Sequence, residues 1–248
     1  MILDALKKQA EEKAGGRTVA DVRIGICYTA VKLDDGATGL AYTFRHDIPQ
    51  GCAVFQGNVP LAGKSAEEVL GFLDAPDLLI RTVGIAAMNA LINRDSRNLV
   101  EGDVLEHLQP QKEDIVGMVG YFGPLVTPLR KTVRELRIFE KKGERALNIY
   151  PEEKAFELLP SCDKVIITST ALINLTLEKL LETVQGCRKK ALVGSSTPLA
   201  AEVFRKYGVD LLSGIVITDP ASILRIVSEG GGVRFFRGHV KKVNRVIA

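Results

Sequence analysis

Apolar and polar positions alternate with two different rhythms along the chain. Residues 2–14 place apolar side chains at helical spacing and stop at Gly15-Gly16, which predicts a short amphipathic helix. Residues 22–33 alternate at period two, Asp34-Asp35-Gly36 supplies a turn, and residues 39–44 alternate again, the pattern of an antiparallel hairpin. Glycines, prolines and small polar residues across 45–63 predict a loop. Ser65 with Glu68 three positions later has the spacing of a capping box. A second helix is expected over 77–93, where Gly84, Ala86, Ala87 and Ala90 suit close backbone packing. A hairpin followed by helices is an α+β arrangement. The polar residues 95–98 mark its boundary, giving a first domain over 1–98 and a second over 99–248.

After Asp114 the rhythm changes. Apolar strands are expected over 115–122, 135–140, 164–169, 190–194 and 214–218. They alternate with helical stretches over 124–132, 151–159, 175–185, 198–207 and 220–229. Nearly continuous apolar strands alternating with helices imply a mainly parallel sheet covered on both faces, an α/β Rossmann-like, doubly wound domain. Gly230-Gly231-Gly232 ends the last helix, and residues 233–236 read as a final strand.

Composition narrows the function. With 46% hydrophobic residues in 248, the chain can bury a large core. Lys plus Arg exceed Asp plus Glu by three, 33 against 30, so no strong field exists to hold a nucleic-acid backbone. The basic stretch 239–245 reads as a solvated terminus. No apolar run reaches the ~20 residues needed to span a bilayer, and the N-terminus lacks a signal-peptide core. The expectation is a cytoplasmic protein with a small-molecule ligand, no nucleic-acid or membrane partner, and room for a homodimer. Cys27, Cys52, Cys162 and Cys187 are far apart, without metal-ligand or disulfide-framework spacing.

Chemistry is expected at the strand-to-helix junctions. Gly123-Pro124, Thr197-Pro198 and Asp219-Pro220 each put proline at a first helical position, with Thr197 and Asp219 as N-caps. In a doubly wound sheet such junctions share the carboxyl edge, where ligands bind. Ser195, Ser196 and Thr197 add three hydroxyls there. Gly117, Gly120 and Gly123 are spaced GxxGxxG, which departs from the GxGxxG of dinucleotide binders. Glu140 ends the second strand, where a Rossmann carboxylate binds ribose hydroxyls; a surface carboxylate beside Lys141 and Lys142 is the other reading. Thr170 and Asn174 close the third strand, Asn174 or Thr176 being a helix cap. Of the three histidines only His46 has chemical neighbours, Asp47 and Cys52. No nucleophile elbow, Walker-type loop or HExxH occurs.

Specific strings carry a resemblance over nearly the whole chain. They are Val116-Gly117-Met118-Val119-Gly120-Tyr121-Phe122-Gly123-Pro124-Leu125, Phe139-Glu140-Lys141, Gly194-Ser195-Ser196-Thr197-Pro198-Leu199 and Val216-Ile217-Thr218-Asp219-Pro220. The first domain adds Gly39-Leu40-Ala41-Tyr42-Thr43, Leu61-Ala62-Gly63-Lys64-Ser65-Ala66-Glu67 and Gly84-Ile85-Ala86-Ala87-Met88-Asn89-Ala90. Together these resemble a prokaryotic family linked to heavy-metal chelation. The resemblance implies an enolase-N-terminal-like domain, a Rossmann-like domain and an active site in the cleft between them. The expected ligand is small and polar or anionic, a heavy-metal chelate or a nucleotide-like molecule. Expected contacts are Gly120, Tyr121, Phe122, Gly123, Glu140, Thr170, Asn174, Ser195, Ser196, Thr197, Asp219, His46 and Cys52. Whether the chain is an enzyme stays open. A nicotinamide or methyl-donor enzyme using His46, Asp47 or Cys52 is one alternative, and a partner-binding scaffold is another.

Overall fold

The computed structural model describes residues 1–48, 55, 59–94, 98–141 and 149–247. The chain opens with α1 (Ile2–Ala14), which buries Ile2, Leu3, Leu6, Ala10 and Ala14 and ends on Gly15 in the left-handed conformation. Three antiparallel strands follow: β1 (Val19–Ile24), β2 (Tyr28–Leu33) and β3 (Thr38–Tyr42). The alternation over 22–33 is therefore two strands. Period two survives on both sides of the turn, but Gly25 breaks the ladder by pairing its N–H with the Tyr28 carbonyl. A Cβ on Gly25 would come within 2.2 Å of the Val227 carbonyl oxygen.

The capping box forms at α2 (Ala66–Leu70), with Ser65 and Glu68 satisfying each other's backbone donors. Next comes α3 (Leu78–Ile92), capped by Asp77 and buried along almost its whole length. It packs against β3 so closely that a Cβ on Gly39 would lie 2.1 Å from the Ala86 carbonyl oxygen. The small residues of α3 meet backbone, as their size demands.

The later elements are β4 (Val100–Glu101), α4 (Val104–Leu108), β5 (Ile115–Val119), α5 (Gly123–Thr132), β6 (Glu135–Glu140) and β7 (Ile149–Pro151). After them come α6 (Ala155–Leu158), β8 (Lys164–Thr168), α7 (Thr170–Ile173), α8 (Leu177–Thr183) and β9 (Lys189–Val193). The chain finishes with α9 (Ala201–Arg205), β10 (Leu211–Ile217), α10 (Pro220–Ser228) and β11 (Val240–Val246). The large sheet has the order β4-β11-β10-β9-β8-β5-β6-β7, and its six strands from β10 to β7 run parallel. This is the expected Rossmann-like α/β sheet, beside a smaller α+β part.

Three local expectations are corrected. Residues 233–236 do not form a strand; Val233–Phe235 is a 3-10 turn, because Phe236 turns inward and is buried. The helix expected from 198 begins at Ala201, so Thr197 is not its cap. The helix expected over 151–159 is a single α-turn between two 3-10 turns, interrupted by Pro160.

By compactness the chain divides into two units, neither a single length of chain. The first comprises Met1–Asn98, Ser195–Ala200 and Gly214–Val243. The second comprises Leu99–Gly194, Ala201–Ser213 and Asn244–Ala248. Ala30 and Leu40 of the first share a core with Ile215, Ile223, Leu224, Val227 and Phe236. The second centres on Val116, Met118, Ile138, Ile166 and Ala191, covered by Leu125, Val126 and Leu129 of α5. At the amino edge of its sheet, buried Asp114 accepts from the Gln111 N–H at 2.7 Å and pairs with Lys164 at 3.0 Å and with Arg188. Burial would raise this carboxyl, but those partners outweigh it and hold it below the usual range.

Candidate functional site

In the second unit the strands run outward from β5 to β6 and β7; the chain then returns to the other side of β5 and continues through β8, β9 and β10. Strand order therefore reverses between β5 and β8. Loops leaving neighbouring strands diverge at such a point and open a crevice at the carboxyl edge. From β5 the edge receives Gly120, Tyr121 and Phe122. Gly120 has φ 87, and a Cβ there would press on Thr168 at 3.0 Å, so glycine is required twice over. Its N–H donates to the Phe139 carbonyl at 2.8 Å. Tyr121 remains 53% exposed, whereas Phe122 packs against the core below. The turn feeds directly into α5, with proline in its first turn.

Glu140 is found holding this turn. One oxygen accepts from the Tyr121 N–H at 3.0 Å and the other from the Lys141 N–H at 2.9 Å. The carboxylate thus orients the loop leaving β5 while standing at the end of β6. From β8, the Thr168 and Thr170 hydroxyls pair at 2.9 Å. Ser169 is buried, and its Oγ has no hydrogen-bond partner among the described residues. That oxygen faces Gly194, where a Cβ would approach it to 2.7 Å. Asn174 accepts from the Thr176 N–H and hydroxyl, at 3.3 and 2.8 Å, and serves the turn between α7 and α8.

The remaining candidates belong to the first unit. Ser196 Oγ accepts from the Tyr42 N–H at 2.8 Å. Asn89 Nδ2 donates to the Leu40 and Ser196 carbonyls at 2.9 and 3.0 Å. Asn93 donates to the Thr197 carbonyl at 2.9 Å and accepts from the Leu199 N–H at 2.8 Å. The Asn89 amide on α3 and the Asn93 amide at its C-cap therefore satisfy a non-helical segment that would otherwise bury bare backbone. Thr197 is fully buried and its Oγ1 has no partner among the described residues. Ser195 meets the Tyr28 phenol; burial pushes that phenol up to about 12 although the Ser195 contact opposes the rise.

Asp219 caps α10 through the Ser222 N–H at 3.2 Å, and its other oxygen meets His239 Nδ1 at 2.9 Å. Hydrogen bonds from Ser222, then His239, hold its carboxyl below the usual range. His46 is exposed and accepts from Arg45 Nε at 3.1 Å. Cys52 lies outside the described residues. Sequence reasoning did not assign Asn89, Asn93 or the Asp219–His239 pair. Two asparagines four residues apart in the apolar stretch that ends this helix were the available signal for the first two, since an amide there must find partners.

Two family models match, one over residues 7–92 and one, DUF364, over residues 103–246, and both carry the description "Putative heavy-metal chelation". The chain belongs to the DUF364 family. Its relatives include an uncharacterized protein of Methanocaldococcus jannaschii, 26% identical over 253 residues, covering 98% of this chain and 96% of the relative. A crystal structure of a DUF364 protein from Pyrococcus horikoshii is 24% identical, with a TM-score of 0.87 and full coverage of both chains, and shows the same fold. Another, from Desulfitobacterium hafniense, is 25% identical with a TM-score of 0.80 over 98% of each chain.

The described residues of this DUF364 protein do not fit a directly held heavy metal. No three of their His, Cys, Asp and Glu side chains come together to hold an ion. Burial pushes the Cys162 thiol up to about 11 and the Cys187 thiol upward as well, away from the thiolate that soft metals require.

Proposed function

We propose that the protein binds a small polar or anionic organic ligand at the carboxyl ends of β5 and β8, and that any heavy metal arrives already chelated by that ligand. The reversal of strand order beside the Gly120 turn carries this reading. Tyr121 offers an exposed ring, the α5 terminus offers backbone donors in a favourable dipole, and Thr168 and Thr170 offer hydroxyls. Glu140 acts as a positioning residue, since both its oxygens fix the loop that carries Tyr121. The absence of a donor cluster among the described residues favours a chelate over a bare ion.

Thermal-shift assays with nickel, cobalt or cadmium salts, their citrate complexes, and adenine nucleotides test this. A ligand at 100 times its Kd adds about 2.7 kcal/mol of stability, roughly 5–10 °C for a chain of this length. Citrate complexes or nucleotides are expected to shift the wild type and to shift Gly120→Val or Glu140→Gln much less. A shift with bare salts alone, or an equal shift in both variants, would overturn the reading.

A further inference from the structure

The first unit carries an exposed apolar and basic surface remote in sequence from the β5 and β8 loops. Ile26, in the turn joining β1 and β2, lies against Gly230, where a Cβ would meet its side chain at 3.1 Å. Cys27, next in the chain, stands within 3.8 Å of the Cβ position of Gly232. The turn therefore rests on the triple glycine, and Val233 and Phe235 follow immediately in the 3-10 turn. Phe235 is 67% exposed, Ile26 59%, Val233 44% and Ile24 41%. Phe236 points inward and packs edge-on against Tyr28, with ring centroids 5.3 Å apart, which anchors the turn that presents Phe235.

The segment that follows Glu229 carries charge of one sign. From Gly230 to Val246 the sequence holds Arg234, Arg237, Lys241, Lys242 and Arg245 and no Asp or Glu. Arg234, Arg237 and Lys242 are exposed and form no ion pair among the described residues. The nearby carboxylates are already partnered: Asp21 with Arg23, Glu229 with Arg225, and Asp219 with His239. Apolar tips on two packed turns, followed within the same segment by exposed cations, match an anionic lipid surface. At such a surface apolar side chains enter the acyl boundary while cations meet headgroup phosphates and carboxylates. A single exposed aromatic ring does not provide the stacking ladder of a single-stranded nucleic-acid site. The neighbouring groove between β1 and α10, about 330 Å³, is lined by both signs of charge and does not suit an apolar helix. No helix among the described residues is long and apolar enough to cross a membrane.

We infer that Ile24, Ile26, Val233 and Phe235, with Arg234, Arg237 and Lys242, form a docking surface for anionic membranes. Flotation of the full chain with phosphatidylcholine vesicles, with and without phosphatidylglycerol, tests it. The wild type is expected to float only with the anionic vesicles and to be released by salt. Ile26→Ser with Phe235→Ser should abolish flotation. Arg234→Gln, Arg237→Gln and Lys242→Gln should weaken it about fivefold per cation. All five positions are exposed, and thermal melts of each variant check that folding is retained. The inference fails if the wild type does not float with anionic vesicles, or if both variants float as the wild type does. It also fails if polyglutamate or single-stranded DNA is retained by the surface while vesicles are not. The thermal-shift result for the β5 and β8 site does not bear on this outcome.

Discussion

Asp35 shows how a single side chain contributes to the acid sensitivity of the first unit. Its carboxylate bridges Arg17 at 2.6 Å and Arg94 at 2.7 Å, and accepts the Ala37 N–H at 3.0 Å. Burial acts to raise the carboxyl, but these partners prevail and bring it from 3.8 to about 2. A depressed folded-state value means the contribution is complete above the unfolded value and is lost as pH falls through the folded one. Stability should therefore decline between about pH 4 and 2, with a share on the order of 1–2 kcal/mol from this residue after solvent screening. Asp35→Asn should lower stability at neutral pH and flatten the decline, as measured by urea titrations across that range. An unchanged slope would remove Asp35 from the account. None of this was visible in the sequence, where Asp34-Asp35-Gly36 read only as a turn. The turn is real, but Arg94 lies 59 residues away and only the fold brings it to Asp35.

At the scale of elements, α3 joins the central scaffold of the first unit to the segment 195–200. Asn89→Leu keeps the branched side-chain skeleton, with bulkier methyl tips, but leaves the Leu40 and Ser196 carbonyls without their buried donor. The expected cost is about 2–3 kcal/mol in chemical denaturation. A loss below about 0.5 kcal/mol would show that the amide is dispensable. The same segment marks where local pattern stops being informative. Thr197-Pro198 has every local mark of a helix start, yet Asn93 satisfies its backbone and the helix waits until Ala201. By contrast α1, the Ser65 capping box, the second helix over 77–93 and α5 were legible, because their determinants lie within a few residues. β6 was legible for a similar reason, as Leu136, Ile138 and Phe139 set apolar positions among charged ones. The 233–236 stretch misled because an apolar string describes burial and not backbone shape, and only Phe236 is buried. Of the expected site, Gly120 and Glu140 were found at one edge, but Glu140 is engaged with backbone N–H groups that no spacing rule reveals.

The whole molecule combines a legible strand rhythm with a chain path that the sequence conceals. One family model matches residues 7–92 alone, yet the compact unit containing them also includes Ser195–Ala200 and Gly214–Val243. A fragment of residues 1–98 would lack Ile215, Ile223, Leu224, Val227 and Phe236, the partners of Ala30 and Leu40. That fragment should fail to give a cooperative thermal transition, whereas the full chain should give one. Cooperative melting of the fragment by circular dichroism would show that those partners are not needed. Order of synthesis adds a further consequence. The first hundred residues leave the ribosome long before α10, and at ~5–20 residues per second the wait is on the order of 10 s. Throughout that interval one face of the nascent β-sheet has nothing of its own to cover it, so the newborn chain should depend on a holding chaperone until its last quarter is made.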